Sequence, residues 1–114
     1  MKIKLTLIGI LFASLLGCAS VVPTMNDIPA AIATASTPAE HQRIADFYMQ
    51  KAREYDATAI EHEKTARAYL SNNKTALGAM TKHCRALRDQ FSAAANEARA
   101  LAQLHVQMAA GDKN

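Results

Sequence analysis

The sequence predicts an all-α protein, a long antiparallel two-helix hairpin of coiled-coil type with an alanine-rich seam. Three observations lead there. Every seventh residue from position 41 gives His41, Tyr48, Tyr55, His62 and Tyr69. A second line, Ala45, Ala52, Ala59 and Ala66, interleaves with it in steps of four and three, the spacing of a helix packed along a partner helix. Half of the 114 residues are hydrophobic, yet alanine supplies much of that share and tryptophan is absent. Such a composition builds long helices with thin contacts rather than a thick globular core. Finally, a second periodic stretch of similar length follows across a short polar break, Ser71-Asn72-Asn73-Lys74, and short connections make neighbouring helices antiparallel.

Residues 1–17 read as a signal peptide. Lys2 and Lys4 form a basic start, and the apolar run Leu5 to Leu16 is too short to span a bilayer comfortably. The run ends in Leu15-Leu16-Gly17-Cys18, with a small residue before the cysteine. This segment resembles the lipobox signal of bacterial lipoproteins. The resemblance covers residues 1–18 and implies that Cys18 is lipidated on its thiol and becomes the first residue of the mature chain. With Ala19 and Ser20 following, rather than Asp, it further implies an outer-membrane anchor on the periplasmic face. Removing Lys2 and Lys4 lowers the formal charge from +3 to +1. No dense basic run remains, so nucleic acid is not an expected partner.

Residues 18–36 carry the lipidated cysteine and a tether. Pro23 and Pro29 interrupt a stretch of Ser, Thr, Asn and Ala that keeps no period, the composition of a flexible spacer, with at most a short helical turn over 28–35. The hairpin occupies 37–110. Its first helix, 38–70, starts at Thr37-Pro38-Ala39-Glu40, a capping box with proline at the first helical position, where its missing N–H costs nothing. The asparagines at 72 and 73 suit the left-handed conformation that ends helices. The second helix, 75–110, stops at Gly111, and 111–114 form a tail. Its expected seam is Met80, Cys84, Leu87, Phe91, Ala94, Ala98, Leu101, His105 and Met108.

Folding about Asn73 sets the register. It pairs Tyr55 with Phe91, His62 with Cys84, Tyr48 with Ala98, Ala45 with Leu101 and His41 with His105. Large residues then mostly meet small ones, as interdigitation requires. Two helices bury only one seam. Ile44, Phe47, Met49, Ile60, Leu70 and Leu104 lie beside or off it, so the sequence predicts either that two hairpins dimerise into a four-helix bundle or that the hairpin docks on an envelope protein partner.

The register also gathers metal-ligating side chains. His62 meets Cys84 with His83 adjacent, and His41 meets His105 with Met108 one turn on. Imidazole, thiolate and thioether suit copper(I), and His with Cys suits zinc. An alternative expectation is therefore a transition-metal-binding lipoprotein using His62, His83 and Cys84, with His41, His105 and Met108 as a second site. Cys-x-x-Cys-His is absent, which excludes ordinary covalent haem attachment. The chain has no glycine-rich phosphate loop, no Gly-x-Ser-x-Gly and no His-Glu-x-x-His. The expectation is a structural or protein-interaction role and not an enzyme.

Overall fold

A computed structural model describes residues 27–72 and 77–111 of the chain. The signal segment, Cys18, the turn apex at Asn73 with Lys74, Thr75 and Ala76, and the end of the tail, 112–114, lie outside the described residues. Those that are described form three helices: α1, Ile28–Thr34, α2, Pro38–Ser71, and α3, Leu77–Ala110. Helices α2 and α3 pack against each other along their lengths, and α1 touches only α2.

Each start has a local chemical cause. Asp27 caps α1 by accepting a hydrogen bond from the Ala30 N–H at 3.1 Å, and Pro29 sits in its first turn. The segment read as a flexible spacer therefore contains an ordered helix, on which Ile28 and Ala31 are half-buried. Seven residues hold too few turns for a period to show, so only the cap and the proline mark it in the sequence.

The capping box of α2 forms as expected. The Thr37 hydroxyl accepts from the Glu40 N–H at 3.3 Å. The Glu40 carboxylate accepts from the backbone N–H groups of Ser36 and Thr37, each at 2.9 Å. These donors, Ser36 foremost, lower the Glu40 carboxyl to about 2. At the far end Asn72 has φ −83° and its N–H bonds the Tyr69 carbonyl at 3.4 Å. Helix α2 thus closes with a tightened last turn and not with a left-handed residue at Asn72. Helix α3 ends the other way: Gly111 takes φ +81°, a left-handed cap that glycine adopts without penalty.

The seam of α2 matches its heptad lines, and Ile44, expected beside the seam on a face in need of cover, is fully buried instead. Ala45, Ala52, Ala59 and Ala66 are buried, and His41, Tyr48, Tyr55, His62 and Tyr69 are half-buried. The seam of α3 is half as expected. Ala98 and His105 are buried, and Cys84 and Phe91 are half-buried. The other expected line is displaced: Met80, Leu87, Leu101 and Met108 are exposed, and Ala94 is half-buried. Its place is taken by Thr81, Arg88, Ala95, Ala102 and Ala109, of which Thr81, Ala95 and Ala102 are buried.

With one line retained and the other exchanged for its neighbour one residue on, the seam of α3 is turned by about 50°, half of the 100° per residue of an α-helix. The cause lies on the facing helix. A line of alanines permits close approach of the axes only if the opposing line is also small. Ala45, Ala52, Ala59 and Ala66 of α2 and Ala95 and Ala102 of α3 are all buried. A Met/Leu line at that place would wedge the helices apart. Arg88 is tolerated there because a long stem lies along the apolar surface while the charged head reaches out.

Candidate functional site

The rotation of α3 gives the hairpin two unlike flanks. The alanine flank is bridged by ion pairs between the helices, beside an open groove of about 430 Å³ lined by Asp56, Ala59, Ile60, Glu63, Arg88 and Ser92. Arg88 Nη1 lies 2.8 Å from Glu63, and Arg99 pairs with Asp56. Arg67, on the same helix as Glu63, adds a third contact at 2.9 Å. Its hydrogen bond and that of Arg88 hold the Glu63 carboxyl below the usual carboxylate range.

The opposite flank is a ladder of rings. His41 and His105 stand 5.4 Å apart between ring centroids, with their Nδ1 atoms 3.2 Å apart. Tyr48 stacks on His105 at 6.1 Å. Further along, Phe91 sits between Tyr55, at 6.2 Å, and His62, stacked at 5.4 Å with 14° between the planes. The pairings of His41 with His105 and of Tyr55 with Phe91 match the register read from the sequence and establish the antiparallel arrangement.

Beside this ladder the two helices leave an open groove of about 350 Å³, lined by Phe47, Tyr48, Lys51, Tyr55, Ala94, Glu97, Ala98 and Leu101. Lys51 Nζ stands 5.7 Å above the Phe47 ring and pairs with Glu54 at 2.7 Å. Of the displaced line on α3, Leu101 lines this groove; Met80, Leu87 and Met108 lie further along the helix and are likewise exposed. A run of large apolar residues at heptad spacing, left open beside a groove, is what a further helix needs for docking. Sequence reasoning named these residues and placed them inside the hairpin; their role as an outer surface follows from the rotation.

The expected metal ligands are brought together unequally. His41 and His105 meet at the open end of the hairpin. Burial, and then the neighbouring His41, lower the His105 pKa, and its Nδ1 stands within hydrogen-bond distance of the His41 Nδ1. Met108, one turn from His105, is half exposed. At the other end His62 stacks on Phe91, His83 is exposed, and Cys84 is a half-buried free thiol. Among the described residues no group of three or more His, Cys, Asp or Glu converges as a metal site. His62, His83 and Cys84 are thus not gathered into the cluster that the register implied, because the His62 ring is spent on Phe91 and His83 turns outward. No helix among the described residues is long and apolar enough to cross a membrane.

No family model, no curated protein and no solved structure matches this chain.

Proposed function

We propose that this chain is a lipid-anchored interaction module: a helical hairpin held by Cys18 at the periplasmic face of the outer membrane, whose apolar flank docks a partner hairpin to make a four-helix bundle. One observation carries the docking reading. Met80, Leu87, Leu101 and Met108 form a continuous apolar line on the outside of α3. Between 38% and 48% of each is exposed, so covering the rest is worth roughly half of the 1.5–3 kcal/mol for full burial of such a side chain, and exposed apolar side chains grouped in this way mark interaction sites. The anchor reading rests on the lipobox at residues 15–18.

Light scattering on the mature chain without its lipid tests the docking. A dimer mass at high micromolar concentration, lost in Leu87→Glu with helicity kept, is expected. A monomer at every concentration, together with no partner recovered from crosslinked envelopes, overturns it. Metabolic labelling with palmitate tests the anchor: label is expected in the native chain and none in Cys18→Ser.

A second reading is favoured by the Nδ1 contact of His41 with His105 at 3.2 Å. Two imidazoles in contact, with a methionine one helical turn from His105, suit copper(I) better than zinc. Mass spectrometry after copper and zinc loading separates the readings. Stoichiometric copper, lost in His41→Ala and His105→Ala, supports the metal role; metal-free protein after both loadings removes it.

A further inference from the structure

The outer line on α3, four exposed residues about a half-buried alanine that lines the groove, reads the same in both directions: Met80, Leu87, Ala94, Leu101, Met108. An antiparallel contact about a two-fold axis sets residue i against residue j and j against i. With the axis at Ala94, Met80 meets Met108 of the second copy, Leu87 meets Leu101, and Ala94 meets Ala94. We infer that the occupant of the apolar flank is a second copy of this chain, seated with its α3 antiparallel to the first and crossing it at Ala94. The inference rests on the docking role proposed above and specifies its partner and register.

Three observations agree with that placement. The small residue falls at the axis, where two copies of one side chain must share the same space. The four large ones fall symmetrically outside it. The flanking polar residues are compatible, since Gln90 comes opposite Glu97 of the second copy; both are exposed in the single hairpin, and no like charges are set face to face. A helix-on-helix strip about 42 Å long and ~10 Å wide gives on the order of 400 Å² per copy, about half of a standard interface, so the adjoining groove has to contribute for the contact to be stable. Phe47, Tyr48 and Tyr55, which line the adjoining groove, supply more when the second α3 seats beside them. Two copies anchored to one membrane surface also raise each other's effective concentration.

Cysteine crosslinking in the full chain tests the register, with Cys84→Ser as background and peptide mapping to locate each bond. A disulfide requires Cα atoms within about 7 Å. Ala94→Cys should therefore link to itself, joining two copies of the Asp89–Arg99 tryptic peptide, in roughly tenfold higher yield than Ala93→Cys, which points about 100° away. Met80→Cys should not link to itself, because its counterpart lies about 42 Å off in this arrangement. Mixed with Met108→Cys it should form the hetero-disulfide. Self-linked Met80→Cys together with self-linked Leu87→Cys overturns the antiparallel register while leaving the docking role in place. Equal yields from Ala93→Cys and Ala94→Cys, with a dimer mass in light scattering, remove the axis at Ala94. A chain that neither crosslinks nor dimerises removes both the inference and the choice of a second copy.

Discussion

The two flanks of the hairpin are built from the same heptad spacing and end in opposite states. On one, the alanines of both helices are buried and ion pairs bridge the edge. On the other, rings interleave and a line of Met and Leu side chains stays in water. Small residues contribute little apolar area, and their value is to let two backbones approach. Large residues contribute area but hold a neighbour away. When one helix carries both kinds, the facing helix decides which line goes inward. Here the alanines of α2 select the alanines of α3, and the large side chains are left for something else to cover.

The difference can be broken most severely on the alanine side. Ala52→Leu inserts a large side chain where Ala52 is only 1% exposed, in a seam that also buries Ala95 and Ala102 of the other helix. Overpacking of this kind costs about 1–3 kcal/mol, and the upper part of that range is expected here. Thermal denaturation followed by circular dichroism should show the loss, whereas Leu101→Ala on the open side should shift the monomer by much less. An equal loss from both would mean that the open line is core.

Next in size is the helix start that positions both flanks. Thr37→Ala removes the side-chain cap of α2 and should cost about 1 kcal/mol, read from the same melting curves. The capping carboxylate adds an acid limit. A Glu40 carboxyl lowered to about 2 binds fewer protons than in the unfolded chain. Its contribution is complete above the ordinary glutamate range and is lost as pH falls toward 2.

The ring flank has its own pH response, in a higher window. His105 is lowered below the usual imidazole value by burial and by His41. The unfolded chain therefore binds the proton more readily. Stability should be full above about pH 6.5 and fall as the pH drops below it. Melting temperature measured from pH 7.5 to pH 5 should decline, and His105→Phe should flatten that decline. A melting temperature that rises on acidification would contradict the assignment.

The smallest effect belongs to the ion pairs. Asp56→Asn should cost under about 1 kcal/mol, as partly exposed pairs do, with the difference shrinking as salt is added. The pairs bridge an edge that the alanines already hold.

Much of this fold was legible in the sequence because α2 carries only one line of small residues and one line of rings, with charge elsewhere. Its seam, its capping box and the pairing of His41 with His105 follow from that. The seam of α3 was not legible to the same degree because α3 offers two candidate lines beside Cys84, Phe91, Ala98 and His105. The line with Met80, Leu87, Leu101 and Met108 is more hydrophobic; the line with Thr81, Arg88, Ala95 and Ala102 is thinner. Hydrophobicity ranks the first inside, and steric fit to Ala45, Ala52, Ala59 and Ala66 ranks the second inside. The facing alanines were the signal that decides it. The candidate ligands divided for a related reason. His41 and His105 lie on the ring lines of both helices and meet, whereas His83 lies on neither seam line and points away from Cys84's partner surface.

The central claim is that the open flank is a surface awaiting a partner and the alanine flank is not, and methionine footprinting tests it most directly. Met80 and Met108 lie on the open line, and Met49, 38% exposed, lies on the other side of α2. At low concentration all three should oxidise readily. On raising the concentration, Met80 and Met108 should become protected while Met49 keeps its rate. Unchanged rates at all three positions, or protection of Met49 in their place, would contradict the account.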